Sequence, residues 1–110
     1  LSYHNTPPKP LLMSTSADTT AKIWSQENSE ALECVTTLEG AHREGVNDAK
    51  WEQRTGAWAC TAGDDKCLWL WDVETGKAVT SLVGHESYVF CCDLHPRTGC
   101  VASGSYDETI

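Results

Sequence analysis

The chain has 110 residues, 40% hydrophobic and 22% charged, with five Trp and six Cys; that is enough for one small folding unit and unlike the composition of a disordered tail. A net charge of -8 argues against tracking nucleic-acid phosphates, which needs clustered Lys and Arg, and is compatible with a basic peptide partner. No apolar run approaches the ~20 residues of a membrane span, no basic-then-apolar leader opens the chain, and no CxxC pair points to zinc or dithiol chemistry, so the thiols are expected reduced, in cytosol or nucleus.

In chain order, "LSYH" reads as the end of a strand segment, and "NTPPKP" is a loop because proline cannot sit inside a paired strand. "MSTSADTTAKIWS" follows, and then an acidic insertion, "SQENSEALE", ahead of a fourth strand. The next unit reads as four short strands near Val46–Trp51, Trp58–Ala62, Cys67–Trp71 and Ala78–Leu82, separated by the turn signals "RTG", "GDDK" and "ETG". A third unit opens at "GHESYVFCCDLHP" and breaks off at "SYDETI", so both ends of the chain read as cut.

These units are copies of one another. "MSTSADTTAKIWS", "CTAGDDKCLWLWD" and "ASGSYDETI" align without a gap, which puts Asp18, Asp65 and Asp107 in one column. Ser14, Thr61 and Ser103 fill a second column, and Trp24 and Trp71 a third. "VNDAKWEQRTG" aligns with "VFCCDLHPRTG", and His42 and His85 each follow a small residue at a unit's start. Four short strands in a period of roughly 40–45 residues form a propeller blade. The expected fold is all-β: about two and a half four-stranded antiparallel blades, partial over 1–40, complete over 41–83 and truncated over 84–110. Such a piece cannot close a ring, and in isolation it is expected to be poorly soluble or partly unfolded.

The small-residue-His opening, the turn Asp and the "IWS" and "LWD" endings resemble the WD-repeat pattern over essentially the whole chain. The resemblance implies a seven-bladed propeller whose first and last blades interlock. It also implies a hydrogen-bonded structural set in each blade: His42, Thr61, Asp65 and Trp71 in the second, and His85, Ser103 and Asp107 in the third. The first blade would keep Ser14, Asp18 and Trp24 and have lost its His. A catalytic reading of His, Ser and Asp is poor, because repetition in every blade suits a brace and not a single active site. No activated nucleophile, phosphate loop or metal spacing is present; the chain reads as a non-enzyme without cofactor or metal.

The cysteines fall in columns of small strand residues, Cys60 with Met13 and Ala102, and Cys92 with Ala49, where a free thiol acts as a small hydrophobe. Cys91 and Cys92 are strand neighbours pointing to opposite faces, which disfavours chelation of one metal. All six are therefore read as packing.

Phe90 and Asn47 come just after the start of the innermost strand, which in a propeller lines the central channel. Ala17, Asp64 and Tyr106, each just before a turn Asp, form a second ring near the same rim. By position alone, Phe90 could equally pack between blades and Tyr106 could be a turn aromatic.

"GHESYVFCCDLHP", "SGSYDETI" and "STSADTTAKIW" are similar to the early blades of one subfamily: the WD-repeat scaffold subunit of COMPASS/Trithorax-type histone lysine methyltransferase complexes. That resemblance implies a channel mouth that takes an arginine side chain from a histone tail or a methyltransferase subunit. Aromatic faces and a ring of acceptors suit the planar, weakly hydrated guanidinium. Phe90 would be a stacking face and Cys91 a backbone contributor, with Ala17, Asn47, Asp64 and Tyr106 along the rim. Asn47 departs from the usual Ser; its longer side chain is able to accept a hydrogen bond and to narrow the pocket. The expected partners are proteins, with no direct nucleic acid, membrane or small molecule, and the expected location is nuclear or shared with the cytoplasm. The alternative is an adaptor of another assembly, a ubiquitin ligase, spliceosomal or trafficking scaffold, which shares the brace and lacks the pocket.

Overall fold

The computed structural model describes residues 2–4, 11–25, 33–52, 57–95 and 97–110. The "NTPPKP" loop, most of "SQENSEALE" and the first "RTG" turn lie outside them. The described residues form ten strands and no helix: β1 (Ser2–His4), β2 (Leu11–Thr15), β3 (Ala21–Ser25), β4 (Glu33–Leu38), β5 (Val46–Trp51), β6 (Trp58–Gly63), β7 (Cys67–Asp72), β8 (Lys77–Val83), β9 (Val89–Leu94) and β10 (Val101–Ser105). The four strands expected in the second unit are found there, each within a residue of its expected bounds.

The strands assemble into three sheets, β1-β2-β3-β4, β5-β6-β7-β8 and β9-β10. Every pairing is antiparallel between chain neighbours, so each sheet is a simple meander. In β3, Ala21, Ile23 and Ser25 are buried while Lys22 and Trp24 are only partly so, the alternation of a strand with one face on a core. β6 differs: after the exposed Trp58, Ala59, Cys60, Thr61, Ala62 and Gly63 are all buried. A strand covered on both faces by other sheets loses the alternation, and these small residues allow both neighbours to approach.

Two apolar layers result. Met13, Ala21, Ile23 and Leu38 of the first sheet meet Ala49, Trp51, Ala59 and Trp71 of the second. On the opposite face, Cys60, Ala62 and Leu68 meet Val89 and Cys92 of the third sheet. β5 packs against both β1 and β9, so the first strands of the three sheets converge, while β8 runs along the outside with most of its residues exposed. Stacked four-stranded meanders whose first strands converge on one side are successive blades of a β-propeller.

The cysteine expectation needs correction. Cys60 and Cys92 are buried and Cys67 is partly so, whereas Cys34, Cys91 and Cys100 are exposed. Column position identifies the strand slot but not which face of the sheet is covered: Cys34 lies on the outermost strand β4, and Cys91 lies on the face of β9 opposite Cys92. Among the described residues all six thiols are free, and no group of three His, Cys, Asp or Glu is placed to hold a metal ion.

Candidate functional site

The second sheet carries a closed hydrogen-bond set. His42, in the loop before β5, places Nδ1 3.0 Å from Asp65 Oδ2, and Nε2 2.6 Å from the Thr61 hydroxyl. Trp71 Nε1 donates to the same hydroxyl oxygen at 2.8 Å. One assignment matches every donor to an acceptor: His42 carries its hydrogen on Nδ1 and donates to the carboxylate, while Thr61 donates to Nε2 and accepts from the indole. Backbone N–H groups of Arg43 and Cys67 also donate to Asp65. The set joins the loop before β5, strands β6 and β7, and the turn between them. Gly63 makes room for it, because a Cβ there would stand 2.6 Å from His42 Nδ1 and 3.0 Å from Asp65 Oδ1.

The third sheet repeats the arrangement with His85 Nδ1 2.9 Å from Asp107 Oδ2 and Nε2 2.8 Å from Ser103 Oγ. The Thr109 hydroxyl hydrogen-bonds Asp107 Oδ1, and with the Glu86 N–H and His85 it holds the Asp107 carboxyl well below the usual carboxylate range. In the first sheet Trp24 Nε1 donates to Ser14 Oγ at 2.8 Å, but Asp18 is exposed, and among the described residues its carboxylate is bonded within its own turn, to the hydroxyl and N–H of Thr20, which lower its pKa. The separations of 23 and 22 residues between His and Asp in the other two sheets, applied back from Asp18, reach a position ahead of Leu1. The position at which the first unit would carry its His thus falls outside the sequence.

The rim residues form a strip across all three sheets. The Val46 N–H donates to Ser16 O at 2.9 Å, and Ala17 lies against Gly45, where an added Cβ would come within 3.2 Å of Ala17 Cα. The Asp64 N–H donates to Gly45 O at 2.9 Å. Asn47 donates from Nδ2 to Asp64 Oδ1 at 2.8 Å and to Val89 O at 2.8 Å, and so bridges the second and third sheets. Beside Val89, the Phe90 ring packs on Tyr106 with centroids 4.0 Å apart.

Ala17, Asn47, Asp64, Phe90 and Tyr106 are thus contiguous. The Cys91 side chain lies apart, in a cleft with Asp48, Lys50, Asp93 and Ala102, and its backbone sits opposite Gly104 in the β9–β10 ladder. The expected Asn47 acceptor acts through its amide as a donor. Two participants escaped the sequence reading. Tyr88, 46% exposed, stands edge-on to Tyr106 at 6.0 Å, so the rim holds three rings and not two. Its signal was the two-residue spacing from Phe90, which places both side chains on one side of extended backbone. The second is Asp48, whose Oδ2 accepts from the Cys92 N–H at 3.1 Å and ties β5 to β9.

Chemically, the strip offers exposed aromatic faces beside one carboxylate and a backbone carbonyl, a combination that suits a cation with N–H donors. His85 and Ser103 of the third set border a cleft with Leu68, Leu82 and Val101, but the set of the second sheet offers no comparable opening. His42 is buried, and its polar partners are all engaged with one another.

The family model for the WD domain, G-beta repeat, matches residues 32–72 and 76–110. Among similar proteins, the nuclear distribution protein PAC1 of Komagataella phaffii is 34% identical over 108 residues, 97% of this chain and 21% of that protein. The nuclear distribution protein nudF of Aspergillus niger is 33% identical over 86 residues, 78% of this chain and 18% of that protein. The probable coatomer subunit beta' of Schizosaccharomyces pombe is 35% identical over 98 residues, 88% of this chain and 12% of that protein. The chain spans about a fifth or less of the length of these relatives. The first matched repeat runs from β4 to β7, one strand out of phase with the β5–β8 sheet. With the repeat signature, the three meanders and the match over most of its length in agreement, the chain belongs to the WD40 repeat family.

Proposed function

We propose that this chain supplies part of a protein-recognition rim in a non-enzymatic WD-repeat scaffold, where a cationic side chain of a partner peptide, arginine foremost, rests on Phe90 and Tyr106 beside Asp64. The observation that carries the reading is the cluster of exposed rings next to that carboxylate. Phe90 is 41% exposed and Tyr106 63% exposed, although each would gain from burial. A guanidinium loses little hydration when it stacks on such faces, and the net charge of -8 favours its approach.

The narrower assignment, to a histone tail or methyltransferase subunit in the nucleus, is supported by the resemblance of "GHESYVFCCDLHP" and "SGSYDETI" and by the rim residues. A second reading, an adaptor of another assembly, is favoured by the names of the similar proteins, which refer to nuclear distribution and to coatomer.

Titration of the complete protein with a histone-type peptide containing one arginine, and with the same peptide carrying citrulline, tests both. The first reading expects binding to the arginine peptide only, weakened roughly five- to thirtyfold by Phe90→Ala, the effect of losing one cation–π face. Cys34→Ser, on the outer strand, is the control expected to leave binding unchanged. Undiminished binding by Phe90→Ala removes the site. No arginine dependence favours the second reading.

A further inference from the structure

We propose that Asn47 occludes the rim site, its side-chain amide occupying the acceptors that a ligand's N–H groups would take; the inference rests on the cation-binding reading above. Asn47 Nδ2 has two hydrogens, and both are spent, one on Asp64 Oδ1 at 2.8 Å and the other on Val89 O at 2.8 Å. One acceptor is the only rim carboxylate among the residues of the strip. The other is the backbone carbonyl directly before Phe90. A planar NH2 group set between a carboxylate and a carbonyl, beside an aromatic ring, is the arrangement that a terminal guanidinium nitrogen would itself adopt. Asn47 thus stands in for the ligand.

The alternative role for this contact is to hold Phe90 and Asp64 in place, but other bonds already do so. Asp48 Oδ2 accepts from the Cys92 N–H at 3.1 Å and fastens β9 to β5 without Asn47. The Asp64 N–H donates to Gly45 O at 2.9 Å, and the Tyr106 N–H to Tyr88 O at 3.0 Å, which fix the backbone on either side. Asn47 is exposed at the start of its strand, so outward rotation of its side chain leads into solvent at the cost of those two hydrogen bonds. Binding then requires the amide to swing away, and the apparent dissociation constant rises by the inverse of the open fraction. Selectivity follows. A ligand must replace two hydrogen bonds to be worth the opening, which favours the several donors of a guanidinium over the single point charge of an ammonium.

The test titrates the complete protein, its Asn47→Ala and Asn47→Ser variants, Phe90→Ala and the Asn47→Ala/Phe90→Ala double variant with the arginine peptide and with the same peptide carrying lysine. Thermal unfolding verifies that each variant is folded, and Asn47→Ser, with the smaller change, serves if Asn47→Ala is not. Occlusion expects roughly five- to twentyfold tighter arginine binding on removal of the amide, a smaller preference for arginine over lysine, and a double variant that binds more weakly than Asn47→Ala by about the factor that Phe90→Ala costs the unmodified protein. In the unmodified protein, the Asn47 side-chain NH2 resonances should move toward solvent-exposed positions as peptide saturates the site. Equal or weaker binding by both Asn47 variants, with Phe90→Ala still disruptive, overturns occlusion and leaves the site standing. Binding that ignores Phe90→Ala, or that no variant shows, overturns the site and this inference together.

Discussion

At the scale of single residues, the three turn Asp residues show how one position is tuned by its neighbour two residues on. Asp18 and Asp107 each receive a hydroxyl and an N–H from a Thr, Thr20 and Thr109. In the middle sheet that neighbour is Cys67, whose N–H reaches Asp65 Oδ1 at 3.3 Å and whose thiol is pushed up by burial and then by the Asp65 charge. Cys67→Thr should therefore supply the missing hydroxyl donor and stabilise by about 0.5–1.5 kcal/mol, the usual net worth of one hydrogen bond, visible as a raised denaturant midpoint. The depressed Asp18 and Asp107 pKa values also set a pH window. A carboxyl whose folded pKa lies below its unfolded value, about 3.9 for Asp, contributes stability that is present above that value and lost as pH falls through the folded one. Stability measured by urea unfolding should fall as pH drops below about 4, and Asp107→Asn should flatten the slope. A steeper slope in that variant would contradict the assignment.

The same scale shows where sequence reasoning stops. The Asp, Ser/Thr and Trp columns were legible because repetition displays the first two three times and the Trp twice. The place of Asn47 on the rim was legible too, but its donor role was not, because its partners lie 17 and 42 residues away and nothing local records which end of an amide faces a carboxylate. Phe90 and Tyr106 were placed on one rim by blade geometry, but ring-on-ring contact at 4.0 Å is a matter of rotamer, which column position does not encode.

At the scale of elements, strands were the most legible feature. Turn chemistry bounds them, and alternation in β3 or small residues in β6 states which faces are covered. The cysteines mark the boundary of that method. Their columns say "strand", yet Cys91 and Cys92 share one strand with opposite exposure. Coverage also predicts local stability. β6 is central in its sheet and buried on both faces, whereas β8 is an edge with exposed Val79 and Val83. Native-state hydrogen exchange should find the β6 amides the slowest of the second sheet and the β8 amides the first to open. Faster exchange in β6 than in β8 would mean that the inter-sheet layers are not packed as described.

At the scale of the whole molecule, the two apolar layers make neighbouring blades one cooperative unit, and chemical access follows from that. Cys92 is buried, its thiol donates to Cys60 O at 3.6 Å, and contact with the Cys60 thiol followed by burial drives its pKa far above the thiol range. A thiolate is the reactive form. Alkylation of the native protein followed by mass analysis should label Cys34, Cys91 and Cys100 quickly and Cys60 and Cys92 only after unfolding. Early labelling of Cys60 would show that the second layer opens without global unfolding.

The half-step between sequence repeat and sheet has a practical consequence. A break in the polypeptide at residues 73–75, between the two matched repeats, would put β5, β6 and β7 on one product and β8 on the other. The gap in the peptide bond would not coincide with a gap in the blade, and the two products would hold complementary halves of one ladder, with Lys77–Val83 as the annealing strand. Such a junction is a natural place to divide the protein into pieces that find each other again by strand pairing. A cut between whole blades would leave only side-chain contact to reunite them.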